Sequence, residues 1–494
     1  MFWRALLPFR LPLALGALLA LASCGDGEEQ SINIAVIDPP GSLFDTGPRP
    51  GLGAQMLRGA TTEGLVALDE EGRVVPALAD RWIVTDDGQS YIFRLRAGAW
   101  PDGSAITSEA VRAALDAALA AQRGTALGLD LDGVEEVRQM AGRVIELRLR
   151  HPVPELLQLL AQPELGLLHR GRGNGPLAMR RDKLAARFTA IAPEKRGLPP
   201  VEGWAQLARP VRLVALSGEA ATQAYAAGEV AAVVGGTFAD APRTTRTALG
   251  RSTARADAVI GLFGLVVLNK DGLLAAPENR EALAMAIDRA ALAESLPVGG
   301  WVPVTRVVGR GVVDDSGMID ERWQGRPAAD WQASAAARIA RWTKGGKPAV
   351  LRVALPTGPG ADLLAARLSA DFSAIGVKLE RVGLSERADL RLVDEVARYP
   401  RTAWFLNQLS CLNLHGPCSP AADLLAERAR NATDPAQAAD LLAQAEAMLT
   451  TENVYIPLGS PVRWSLWSGA DLGLSVNRWG YHPLAPIAIR ADTR

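Results

Sequence analysis

Histidine, cysteine and tyrosine are scarce in this chain. Its 494 residues hold four histidines, three cysteines and five tyrosines, and aromatic residues make up only 5%. His151, His169, His415 and His482 are spread too widely to form a cluster readable from sequence, and zinc asks for about four ligands at recognisable spacing. Neither a Gly-x-Ser-x-Gly elbow nor a His-Glu-x-x-His helix is present, so two common hydrolase signatures are missing. Carboxylate pairs are too frequent to exclude a glycosidase, which keeps a secreted hydrolase as a distant alternative. The formal charge of −1 lacks the basic excess of a nucleic-acid binder. GRGNGPLAMRRDKLAARF lacks the Gly-Lys-Ser/Thr ending of a phosphate loop and reads as a solvated connector.

Long apolar runs are also lacking, except at the start. Arg4 and Arg10 precede an apolar stretch from Leu11 to Ala22 that ends in small residues and Cys24, the pattern of a secretory signal over residues 1–23. The run is shorter than the roughly 20 residues of a membrane-spanning helix. Leu21-Ala22-Ser23-Cys24 resembles a bacterial lipobox, which implies acylation of Cys24 and a polar tether over residues 24–30. Further on, AVIGLFGLVVL is interrupted by Gly261 and Gly264, so a soluble, lipid-anchored body of two or three domains is expected. Cys411 and Cys418 remain in CLNLHGPC. In an oxidising compartment such a pair reads as a disulfide, with two buried thiols or a metal site including His415 as the alternatives.

Strand and helix periods alternate along the body. SINIAVID reads as a strand, AQMLRGATTEGLVAL as a helix, and RWIVT with SYIFRLR as two strands about a turn at Asp86-Asp87-Gly88. Thr107 is placed to cap SEAVRAALDAALAAQ. RVIELRLRHPVPELLQLLAQ repeats strand and helix, ENREALAMAIDRAAL reads as one amphipathic helix, and NATDPAQAADLLAQAEAMLTTENVYIPLG as a helix and a buried strand. Strand, helix, strand units around residues 210–236 and 349–384 suggest two lobes, each with its own sheet.

The residues Pro76, Leu78, Ala79, Trp82, then Phe93, Leu95, Arg96, then Trp100, Asp102, Gly103 resemble the signature region of the family 5 bacterial extracellular solute-binding proteins, the oligopeptide, dipeptide and nickel binding components of ABC importers. The likeness continues through Gly173-Asn174-Gly175-Pro176, Ala227-Gly228-Glu229, Arg280-Glu281-Ala282-Leu283, Ala286-Ile287-Asp288-Arg289 and Ile456-Pro457-Leu458. It implies an α/β, periplasmic-binding-protein-like type II fold, with two lobes around a ligand cleft and an extra α+β subdomain in which Trp82, Phe93 and Trp100 hold shape. The implied division is 31–60, 170–258 and 463–494 for the core of lobe I, 61–169 for its extra subdomain and 259–462 for lobe II. The implied role is capture of a peptide or related small solute and delivery to an ABC permease, by a monomer facing the periplasm, without cofactor or metal.

Departures from the family lie in the ligand region. Peptide binders carry an aspartate for the peptide's amine in a stretch that aligns with Glu395-Val396-Ala397-Arg398-Tyr399, and Arg398 stands in its place. An arginine there repels an ammonium and suits a carboxylate or phosphate, which points to an anionic or neutral solute. A slipped register would bring Asp394 or Glu395 to an amine instead. Tyr399, Trp404 and His415 complete the candidate ligand set. Because the ligand stretch is altered, a binding lipoprotein uncoupled from transport, acting as sensor, scavenger or chaperone, is the alternative function.

Overall fold

The computed structural model describes residues 31–490 apart from 48–49, 246–252, 297–300, 324, 345, 347 and 470. The leader, Cys24 and the tether lie outside the described residues. Two sheets set the architecture. The first runs Leu177–Asp182, Ala185–Ala190, Val211–Leu216, Ile32–Ile37, Ala232–Thr237, Arg463–Trp467, Ala254–Asp257, with Ile32–Ile37 parallel to both its neighbours. The second runs Lys378–Val382, Val350–Ala354, Leu390–Val396, Gly261–Val267, Tyr455–Gly459. Gly261–Val267 is buried at all seven positions, as its unbroken apolar sequence requires of a strand covered on both faces.

The chain crosses between the sheets at residues 258–260 and 460–462. Gly261 begins the second sheet at φ 156°, where a Cβ would collide with the Glu395 carbonyl oxygen, so only glycine fits this entry. Arg463, at the other crossing, bonds the Asp394 carboxylate at 2.7 Å and the Asp394 carbonyl at 2.9 Å.

A separate four-stranded antiparallel sheet, ordered Ala79–Val84, Ser90–Leu95, Val144–Leu149, Val134–Met140, carries the signature residues. Tyr91, Phe93 and Leu95 all face inward, because strand side chains alternate. Trp82 packs on Phe93 with ring centroids 6.4 Å apart, and Trp100 stacks on His169 at 5.1 Å. Thr107 accepts the Ala110 N–H and caps Ser108–Ala121. The apolar core of this unit runs on into residues of the second lobe, including Trp404, Phe405 and Leu409.

Three local readings of the sequence are corrected. The Gly- and Arg-rich stretch is no loose connector: Leu177–Asp182 and Ala185–Ala190 form a hairpin at the edge of the first sheet. Short side chains at Ala178, Ala185, Ala186 and Ala190 mask its strand alternation. The helix after Gly51 stops at Thr61, and Val66–Leu68 is a strand. Thr61 and Thr62 turn their hydroxyls back onto the Leu57 and Arg58 carbonyls at 2.9 and 2.8 Å, the side-chain competition that closes helices. The single amphipathic helix is two helices, Pro277–Ala286 and Arg289–Ser295, the first almost wholly buried. Asp288 caps the second at Ala291, while Arg289 reaches the carbonyls of Ala284 at 3.0 Å and Pro457 at 2.7 Å. A buried arginine serving a helix end looks like a polar face in sequence.

Candidate functional site

The second sheet presents one face to the gap between the lobes. Antiparallel pairing sets Leu262 opposite Glu395, Gly264 opposite Val393 and Val266 opposite Arg391, so alternation brings Leu262, Val266, Arg391, Val393 and Glu395 to one floor. Above it lies a cavity of about 610 Å³, closed from the first lobe by Ile37, Gly235 and Thr237 at the carboxyl ends of the parallel strands, and by Gln162, Pro163 and Glu164. Carboxyl edges of such strands are where open α/β sheets receive ligands, and this volume suits a small organic molecule.

Four of the five candidate ligand residues line this cavity: Glu395, Arg398, Trp404 and His415. Arg398 already has a protein partner. Its Nη2 donates to Glu164 Oε1 at 2.8 Å and its Nη1 to Gln162 Oε1 at 3.2 Å, across the gap between lobes. Burial pushes the Glu164 carboxyl up, but the Arg398 charge and hydrogen bond, with Arg58 nearby, outweigh it and hold the group below its usual value. Asp394, the alternative partner for an amine, is taken by Arg463. Trp404 is buried edge-on to Phe405, and its indole Nε1 has no hydrogen-bond partner.

Tyr399 is not part of the cavity wall. Its hydroxyl donates to Asp130 Oδ1 at 2.6 Å, and Asn407 Nδ2 donates to the same oxygen at 2.7 Å. Asp130 belongs to the helix Ala126–Asp130 beside the four-stranded sheet, so this is a second tie across the gap. Burial pushes the Asp130 carboxyl up to about 6 against those two hydrogen bonds. A folded-state value above the unfolded one means that the contribution is full below about pH 4 and is lost as pH rises through about 6. Asp130→Asn keeps an acceptor for Tyr399 and Asn407. The variant is expected to melt higher than the parent at pH 7.5, with a flatter melting profile between pH 4 and 7; an unchanged slope would remove Asp130 from this role.

Cys411 and Cys418 are joined by a disulfide. The loop they close places Asn413, Leu414 and His415 on the cavity, with His415 exposed at its edge. Gly416 is the contact point, since a Cβ there would strike the Val267 carbonyl. Among the described residues no group of three or more His, Cys, Asp or Glu could hold a metal ion. Closing a loop this short is worth about 2–3 kcal/mol on the chain-entropy model. Replacing both cysteines by alanine should lower urea-unfolding stability by about that much, and a loss under about 0.5 kcal/mol would show that the loop is held by packing alone.

Sequence reasoning missed Arg391, although RLVDEV carries the signal: alternation puts residues 391, 393 and 395 on one face. It also missed Glu164, for which no local pattern exists. A Ser–His–Asp grouping does occur away from the cavity. Ser465 Oγ and Asp257 Oδ2 both lie 3.3 Å from the same nitrogen, His482 Nε2, and all three residues are buried. A relay needs the serine and the carboxylate on opposite nitrogens, so this cluster binds strands together.

Residues 73–193 match the family model for bacterial extracellular solute-binding proteins, family 5 Middle. A curated relative, the probable deoxycholate-binding periplasmic protein YgiS of Escherichia coli, is 33% identical over 127 residues, which are 21% of this chain and 23% of that protein. The chain thus matches about a quarter of that relative's length. The fold is similar to the murein tripeptide binding protein MppA of Escherichia coli (TM-score 0.80, 17% identity, 94% of this chain and 99% of that one). It is equally similar to Haemophilus influenzae OppA complexed with the peptide RPPGFSPFR (TM-score 0.79, 17% identity, 94% and 99%). The family 5 match thus covers the middle region of the chain, and over nearly its whole length the chain has the two-lobed type II fold of these solved binding proteins.

Proposed function

We propose that this protein is the ligand-capturing component of an ABC importer. It encloses one small organic solute between its lobes and presents the closed form to a permease, anchored to the envelope by acylated Cys24 and acting as a monomer without cofactor. The observation that carries this reading is the cavity of about 610 Å³ walled by both lobes, with Arg398–Glu164 and Tyr399–Asp130 contacts bridging the gap. A closed state held by bridging contacts can be selected by a ligand that touches both walls.

Arg398 stands where peptide binders hold an amine, and its pairing with Glu164 neutralises the buried carboxylate that lines the cavity beside it. A free-amine peptide therefore finds no anionic seat at that position. The relative whose name cites deoxycholate, an amphipathic acid, agrees with an anionic or neutral solute.

Native mass spectrometry tests the reading on residues 25–494, which contain every described residue, after export to a periplasm. A discrete small-molecule mass lost on denaturation is the expected result. A bare mass that stays unshifted across peptide, sugar and organic-acid libraries would move the protein to a role uncoupled from transport.

A further inference from the structure

Charges on the cavity wall are nearly all used. Arg398 is paired with Glu164, and Arg463 with Asp394; Glu395 is engaged as well. Arg391 differs. Its Nε is buried without a hydrogen-bond partner, and among the described residues its guanidinium has no ion-pair partner. A guanidinium stays charged at any physiological pH, and a half-buried charge without a partner is costly. Native proteins rarely leave such a group unexplained.

Apolar residues flank Arg391. Val266 lies opposite it across the ladder, and Leu268, Val393 and Leu414 line the same cavity. The disulfide-closed loop is pinned beside this end of the floor, where Gly416 meets the Val267 carbonyl. A second orphaned donor, the Trp404 indole N–H, belongs to the same wall. Two unpartnered donors thus belong to a chamber whose floor carries Leu262, Val266 and Val393.

We infer that Arg391 is the seat of the ligand's carboxylate, and that the ligand is an amphipathic organic acid with an apolar body and no free ammonium. This rests on the solute-receptor reading above. The planar fork of a guanidinium matches a carboxylate in two parallel hydrogen bonds, and the floor of Leu262, Val266 and Val393 takes the body. An ammonium would instead face an unpaired cation.

The test is calorimetric titration of residues 25–494 with matched acids and methyl esters, a steroid pair (deoxycholate and its ester) and a long-chain fatty pair, beside trialanine. At least one acid is expected to bind, with its ester at least tenfold weaker. Arg391→Gln should abolish that discrimination, Arg391→Lys should keep part of it, and both variants should melt within a few degrees of the parent. An ester that binds as well as its acid overturns the inference, as does an Arg391→Gln protein that still prefers the acid. Binding of trialanine alone overturns it too while leaving the receptor reading intact. Absence of binding by every probe, together with a bare native mass, overturns both.

Discussion

Replacing Glu63 by alanine should destabilise the protein by about 3–5 kcal/mol, the usual cost of removing one partner from a buried ionic network. Glu63 is 6% exposed and takes Arg96 Nη2 on one oxygen at 2.6 Å and Arg196 on the other. Arg96 is 4% exposed, and its remaining donors go to the carbonyls of Ala77 at 2.6 Å and Arg196 at 2.9 Å. Alanine at 63 would leave the buried Arg96 guanidinium with carbonyls alone to hold it, and would take from the half-buried Arg196 guanidinium the carboxylate it bonds. The network ties the end of the helix Leu52–Thr61 to the signature strand Ser90–Leu95 and to the turn Pro193–Arg196. Loss should therefore loosen the four-stranded unit from the first lobe. Urea unfolding is the measurement, with a lower midpoint and an unchanged slope expected. Glu63→Gln, which keeps the shape and loses the charge, should cost less. A loss below about 1 kcal/mol for the alanine variant would mean that water enters and solvates both arginines.

Arg96 also shows what was legible in the sequence. Its place after Phe93 and Leu95 marks it as part of the signature, and alternation puts Phe93 and Leu95 in the core. Caps, turns and strand periods are local, so Thr107 and the hairpin about Gly88 can be read directly. Partners are not local. Arg196 lies 133 residues beyond Glu63, and Arg398 lies 234 beyond Glu164. The sequence shows the Arg398 charge without showing Glu164, which faces it. Arg391 is illegible for the converse reason, since an arginine in a strand is ordinary until the structure shows it without a counter-charge. The split of ENREALAMAIDRAAL was hidden because Arg289 supplies polar periodicity while its guanidinium is enclosed.

Glu164→Ala should open the protein and weaken ligand binding about a hundredfold. Glu164 is 1% exposed, and Arg398 donates to it across the gap between lobes. Without the carboxylate, Arg398 keeps only Gln162 as a partner in the closed form. Opening lets it reach water, so the cost of about 3 kcal/mol for a broken buried pair falls mainly on closure. A ligand that binds only the closed state then loses affinity in proportion to the closed fraction, and about 1.4 kcal/mol is worth tenfold. Arg398→Ala should behave similarly, because it strands a buried carboxylate near Arg58 alone. The double variant Glu164→Leu with Arg398→Leu removes both charges and the desolvation penalty of each, so it should recover most of the loss. That non-additivity is the signature of a direct pair. X-ray scattering reads closure without a ligand: the single variants should have a larger radius of gyration than the parent, and the double variant should return toward it. Additive effects of the two single changes would show that each residue acts alone. Closure would then rest on the Tyr399–Asp130 contact and on the apolar core that runs from the four-stranded sheet into the second lobe.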